Sequence, residues 1–475
     1  MKKILQIIIA ISCMPFVTGV AVAADPSDPY TRYSFDNGTG FERMGFGFAQ
    51  PIITIIPGYG PKDGSGKLTG YWPVAIIAGG YDPTKDYIGA KGTVADGDPD
   101  SMEGRAPNAS GSRHNDKVGN AVYFVSAITG ELVARVRSNA SNPLPLVYPE
   151  GGEPTPRTES DLSGVGKEKT DADLKHSIPA TVTIVDSQGD GVTDRVYFID
   201  VIGNIWRLDL IAPNTGEGIA AQWKLNKFAS LGSDSVAAAD AADNDRRFFN
   251  QIDVVRTRRP GTNYNVDALL VGSGNIANPK EKLDEGDNKF FVIYDENTQP
   301  ITREDLTTIK LEHLFNASAR EDDDLEKDYL NSNVQNAITG SIKGWYWNMR
   351  ANEKIVSAVT TIEGVAYFTT IVASPDEVGC QAPEDLPASY LYALDMHTGE
   401  SRHFDAIVDE KPTYKADRYW KINSGLAFQQ IDPYVSDGGN VEIILPDGTK
   451  QAVKDSDGED RKLEGAGSYW RTEDQ

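Results

Sequence analysis

The sequence predicts an all-β fold, specifically a β-propeller of four-stranded blades. Short runs of β-branched and aromatic residues follow one another along the chain. Gly, Asn, Asp and Pro interrupt them about every 8–12 residues, the spacing of sandwiches, barrels and propellers. One strand-and-turn unit returns several times, while long amphipathic helical patterns are scarce.

The first 24 residues have the form of an export signal. Lys2 and Lys3 precede an apolar run from Ile4 to Ile11, and Ala21-Val22-Ala23-Ala24 offers small residues for cleavage. Residues 25–44 are a lead-in, and residues 45–475 form the propeller domain. No later segment approaches the ~20 apolar residues of a membrane-spanning helix, so no transmembrane segment is expected in the mature chain. Cleavage removes Cys13 and leaves Cys380, which excludes an intramolecular disulfide.

The strand runs come in order. They include Pro51 to Ile56, Ala121 to Val125, Arg195 to Ile199, Ala268 to Val271 and Phe290 to Tyr294. The unit Val122 to Glu131 returns as Leu391 to Glu400, with Thr129-Gly130-Glu131 matching Thr398-Gly399-Glu400. Asn204 to Asp209 and Phe291 to Asp295 read as the same strand ending in a turn. These anchors define strand groups at 48–137, 178–228, 248–316 and 354–405, with a weaker one at 422–453. The pattern leaves a pair of β-sandwiches open beside the propeller. Between the groups, 89–115 and 147–173 read as long polar loops, and 321–330 as one short surface helix. Trp345, Tyr346 and Trp347 follow Gly344, and period-2 alternation buries part of that patch as core.

With 46 basic against 70 acidic residues, the formal charge is −24. Such a surface repels nucleic acid and anionic lipid and attracts cations. The five histidines (114, 176, 313, 397, 403) show no metal-ligand spacing. There is no Gly-x-Ser-x-Gly elbow, no phosphate-cradling Gly-Lys-Ser/Thr loop and no cysteine-based metal pattern. A non-enzymatic protein is therefore expected.

The strongest chemical signal is Asp186-Ser187-Gln188-Gly189-Asp190-Gly191-Val192-Thr193-Asp194. Oxygen-bearing side chains stand at positions 1, 3, 5 and 9, and a glycine at position 6 permits a sharp turn. Calcium takes six to eight oxygens, so a short loop must curl around it. Asp186, Asp190 and Asp194 would supply carboxylates, Gln188 an amide oxygen and Val192 a backbone carbonyl. The set disfavours zinc and copper. The loop departs from an EF-hand: Gln188 stands at position 3, Tyr197 at position 12, and strands flank it. Two weaker acidic runs, Asp96 to Asp100 and Asp455 to Asp460, read as solvated loop.

This loop with Arg195-Val196-Tyr197 and Gly203 to Asp209 resembles the C-terminal propeller of the PilY-type type IV pilus biogenesis and tip-adhesin family. Other stretches agree in order: Gly45 to Pro51, Phe290 to Asp295 with Ile301 to Leu306, Lys343 to Trp347 with Glu353 to Ile355, and Tyr367 to Thr370 leading to Cys380 and Tyr392 to Asp395. The resemblance spans roughly residues 40–475. It implies a seven-bladed propeller, of which about five blades are readable here. It also implies calcium at Asp186, Gln188, Asp190, Val192 and Asp194, controlling pilus extension against retraction. Implied partners are pilins or minor pilins, pilus assembly proteins, and a host or surface receptor. The implied location is the periplasm, outer cell surface or pilus tip. Family members carry a von Willebrand A-like region and further propeller strands upstream, so a short or split version is expected. Two other readings stand beside it. One is a secreted quinone-dependent propeller oxidoreductase, suggested by Tyr392-Ala393-Leu394-Asp395 and the following Thr398-Gly399. The other is a truncated relic with open sheet edges.

Overall fold

The computed structural model describes residues 40–47, 49–82, 116–139, 144, 159–232, 245–259, 262–277, 283–304, 306–318, 342–372, 388–408, 411–414, 418–422, 432–435, 441–444 and 450–452. The export signal, both weaker acidic runs, the helix expected at 321–330, His114 and Cys380 lie outside them. The described residues fall into two compact units, those of Met1–Val254, Asn265–Asp267 and Asp295–Leu314, and those of Val255–Tyr264, Ala268–Tyr294 and Phe315–Gln475. Among them the elements are strands, apart from the one-turn 3-10 helices Ser163–Val165 and Leu311–His313. None is a helix long and apolar enough to cross a membrane.

The fold is all-β, and its unit is the four-stranded meander. In the first sheet β1 (Ile52–Ile55), β2 (Pro73–Ala78), β3 (Ala121–Ser126) and β4 (Leu132–Ser138) pair antiparallel in chain order. The second repeats this with β6 (Thr183–Val185), β7 (Arg195–Ile199), β8 (Asn204–Asp209) and β9 (Lys224–Ser230). The third runs β10 (Asp253–Arg258), β11 (Asn265–Gly272), β12 (Lys289–Asp295) and β15 (Gly344–Asn348). The fourth runs β16 (Glu353–Ile355), β18 (Val365–Val372), β19 (Ala388–Asp395) and β22 (Tyr419–Ile422), with β17 (Thr360–Ile362) also on β18. A two-stranded sheet of β20 (Phe404–Val408) and β21 (Lys411–Tyr414) follows, then a three-stranded one of β23 (Asp432–Val435), β24 (Val441–Ile444) and β25 (Lys450–Ala452).

Three of these sheets carry a fifth strand that the sequence reading did not contain. β5 (Glu168–Asp171) lies parallel to β4, inside the stretch read as a polar loop. β13 (Ile309–Lys310) leaves the third group and lies parallel on β9 of the second sheet. β14 (Phe315–Asn316) lies parallel on β15. The third group therefore extends past 316 and closes with Gly344–Asn348. Pieces of two to four residues carry no period-2 signal, and only a neighbouring sheet edge makes them strands.

Burial follows the pattern expected of packed sheets. One core joins Ile76, Phe124 and Val136 of the first sheet to Phe198, Trp206 and Leu208 of the second. Trp223, just before β9, tilts against Phe124 at 4.6 Å between ring centroids. In the other unit Phe290 stacks on Phe368 at 4.6 Å, and Phe368 on Tyr392 at 4.9 Å. Gly272 has no room for more: a Cβ there would stand 2.5 Å from Ile355. Trp345 is fully buried while Tyr346 and Trp347 are both half-buried, so part of the aromatic patch is core, though burial does not alternate along the strand.

The repeated turns have the same hydrogen bonds. Gly130 N–H donates to Ser126 O and Gly399 N–H to Asp395 O, both at 2.8 Å. Each glycine has the left-handed backbone (φ 78 and 68) that this turn requires. Ser126 Oγ accepts from the N–H of Ile128 and Thr129, where Asp395 Oδ1 accepts from those of His397 and Thr398. Burial raises the Asp395 pKa, but Arg402, 2.5 Å from Oδ2, and the two amides outweigh it and hold the carboxyl below the usual range. Its stabilisation is therefore complete above the unfolded carboxylate pKa of about 3.9 and is lost as pH falls through the lower folded value. Asp395→Asn is expected to remove this part of the acid limb, seen as a flatter dependence of the denaturation midpoint on pH below about 4.

Candidate metal centre

The sequence-predicted loop is the hairpin joining β6 to β7 in the second sheet. Its base is fixed on several sides. Asp194 N–H donates to Val185 O at 3.1 Å, and Asp194 O accepts from Leu210 N–H at 2.8 Å. Thr193 N–H donates to Ile55 O at 2.8 Å, and its hydroxyl meets that of Thr54 at 2.6 Å. The tip is free to solvent: Asp186, Gln188, Gly189, Asp190 and Gly191 are exposed, Val192 is half-buried, and Asp194 is buried.

Asp186 organises the curl. Its Oδ1 accepts from the N–H of Gln188, Gly189 and Asp190 at 3.1, 2.7 and 3.3 Å, and its Oδ2 from Gly191 N–H at 2.7 Å. Gly189 and Gly191 both adopt positive φ (73 and 82), which lets four amides converge on one carboxylate. The slight burial of Asp186 raises its pKa, but these N–H bonds outweigh it and hold the carboxyl below the usual range. Asp190 Oδ1 accepts from Val192 N–H at 3.0 Å. Asp194 turns to another partner: Ser187 donates its hydroxyl to Oδ1 at 2.6 Å and its N–H to both oxygens at 3.2 and 3.1 Å.

The three carboxylates thus share one nine-residue loop, each engaged by loop donors. Among the described residues no three His, Cys, Asp or Glu side chains are gathered into a cage. The donor chemistry nevertheless fits a hard cation. Every side-chain donor at Asp186, Gln188, Asp190 and Asp194 is oxygen, and Val192 adds a carbonyl. The tip is open, with nothing within 4 Å of a Cβ built on Gly189 or Gly191.

Beneath the loop lies a buried charge network absent from the sequence reading. Arg195, fully buried, donates from Nε to Ser187 Oγ at 2.7 Å and stands 2.6 Å from Asp267 Oδ2. It also donates to Tyr197 Oη at 2.9 Å and Asn297 O at 3.3 Å. One strand over, Arg207 meets Asp209 at 2.7 Å and Asp295 at 2.6 Å, and donates to the carbonyls of Asn297 and Gln299 at 2.6 and 2.7 Å. Tyr197 Oη donates to Asp295 Oδ2 at 2.7 Å. Gln299 Nε2 returns to the loop, donating to Ser187 O at 3.3 Å. The network was half visible in the sequence, since Asp209 and Asp295 end the two strands that read as copies of one another.

Burial disfavours the charge on Arg207, yet its acidic neighbours raise its pKa overall, so it stays protonated. Removing one partner of a buried pair leaves an uncompensated charge and costs about 3–5 kcal/mol. Arg207→Met is expected to lower stability by about that amount in guanidinium denaturation, because the buried Asp209 and Asp295 lose the guanidinium that pairs with both.

No protein-family model and no curated protein matches the chain. Among solved structures, the Pseudomonas aeruginosa PilY1 C-terminal domain aligns at 15% identity and TM-score 0.47, covering 85% of this chain and 71% of that one. The quinohemoprotein alcohol dehydrogenase of Comamonas testosteroni aligns at 12% identity and TM-score 0.28, covering 68% of this chain and 52% of that one.

Proposed function

We propose that this chain is an exported, non-enzymatic calcium-binding protein that serves type IV pilus assembly. The observation carrying the metal part is the Asp186–Asp194 loop, a curl of oxygen donors on a rigid hairpin base, with Asp186 ionised at neutral pH. The pilus part rests on the ordered residue-level resemblance to the PilY-type family, from Gly45 to Asp395. When bound, calcium would supply a divalent charge to neutralise three neighbouring carboxylates. Asp186, Asp190 and Asp194 would hold it, with Gln188 and the Val192 carbonyl completing the oxygen set. Pilins, minor pilins or assembly proteins are the partners this reading implies, in the periplasm, at the outer cell surface or on the pilus tip.

In the turn from Asp395 to Gly399, which also suggests a quinone-dependent oxidoreductase, the Asp395 carboxylate is engaged by the amides of His397 and Thr398 and by Arg402. A bound chromophore in the purified protein would favour that enzyme instead.

A ligand that binds only the folded state stabilises it by RT ln(1 + [Ca]/Kd), about 2.7 kcal/mol at a hundredfold excess over Kd. The melting temperature is expected to rise with calcium and fall with chelator, and Asp190→Ala to abolish the difference. A cooperative melt indifferent to calcium would remove the metal from this reading. In piliated cells Asp190→Ala is expected to change the number of surface pili, counted by electron microscopy.

A further inference from the structure

We infer that Ser187 is a latch that competes with calcium for Asp194, and that breaking the latch loosens the segment 296–301. This rests on the calcium reading above and extends it to regulation of the same loop.

Ser187 makes no metal contact in any reading of the sequence. In the structure it ties Asp194 to groups outside the loop. Its N–H and hydroxyl both donate to the Asp194 carboxylate, the hydroxyl at 2.6 Å. Its Oγ accepts from Arg195 Nε at 2.7 Å, and its carbonyl from Gln299 Nε2 at 3.3 Å. Asp194 is only 5% exposed, so these bonds operate where water competes poorly. Asp186 and Asp190 lie on the exposed tip. A cation that joins Asp194 to them competes with the Ser187 N–H and hydroxyl for the same carboxylate lone pairs.

This competition has two consequences. Calcium affinity is set partly by the bond it must break, so the latch makes binding weaker than the donor set alone would allow. The freed Ser187 also loses its fixed position, and with it the carbonyl that holds Gln299. Arg195 then keeps Asp267, Tyr197 and the Asn297 carbonyl as its partners, the last at 3.3 Å. The turn after β12 thereby loses the Gln299 bond to Ser187, while Arg195 still holds the Asn297 carbonyl and Arg207 those of Asn297 and Gln299. The same segment leads into β13 on β9, so the loop's state reaches the outer edge of the second sheet. Coupling of this kind is reciprocal.

The test is calcium titration calorimetry on the purified full chain, comparing the parent protein, Ser187→Ala and Asp186→Ala. Ser187→Ala is expected to bind about tenfold tighter, the factor for losing one hydrogen bond to a charged group. Asp186→Ala is expected to lose binding. An unchanged or weaker affinity in Ser187→Ala overturns the latch while leaving the site intact. No calcium heat from the parent protein overturns the site reading, and the latch with it. A second measurement needs no variant: amide hydrogen exchange of 296–301 in the parent protein should quicken on adding calcium. Exchange that is unchanged or slower overturns the coupling.

Discussion

Two guanidinium groups buried on adjacent strands hold the second sheet to a distant piece of chain. Arg195 and Arg207 reach the same turn, Asp295 to Gln299, which follows a strand of the third sheet. A buried arginine is tolerable only when its donors find acceptors, and here aspartates and main-chain carbonyls fill that need. Because the carbonyls belong to the turn, satisfying the charges also fixes where the turn lies. β13 follows from it, since the chain leaving that turn runs along the free edge of β9. Ile301 N–H donating to Asp209 and Asn226 Nδ2 donating to Arg303 O guide it there.

The fifth strands express the same constraint at the level of the backbone. A four-stranded meander leaves unpaired amides and carbonyls along its last strand, an invitation to unwanted pairing. β5, β13 and β14 cover that edge in three sheets with two to four residues each. Their directions are parallel to the strands they cover, so none can arise from a tight hairpin. Each has to be delivered by a longer connection. The polar connections that interrupt the sheets therefore have a structural duty, at least where they end in such a strand.

The loop from Asp186 to Asp194 combines a firm base with an exposed tip. Strand pairing and the Thr193 contacts immobilise its ends, while Asp186 gathers amides that would otherwise face water alone. Such a loop can rearrange without disturbing the sheet, because its tip buries little and its base contributes the hydrogen bonds of the hairpin. Ser187 and Arg195 connect the movable part to the rigid one.

Local chemistry was legible in the sequence. Short runs of β-branched and aromatic residues gave β1, β3, β7, β11 and β12, because strands packed on both faces carry apolar side chains on both. The paired turns at Gly130 and Gly399 were visible because a left-handed backbone position selects glycine wherever it occurs. The loop's oxygen-bearing side chains were visible because they recur at alternate positions of a short stretch broken by glycines. Tertiary structure alone decided what lies far apart in sequence. It paired Arg195 with Asp267 and Arg207 with Asp295, gave β13 to the second sheet and turned 168–171 into a strand. It also set Asp194 on Ser187 instead of on its fellow carboxylates. In each case a polar group or free edge accepts many possible partners, and only the assembled fold selects the one within reach.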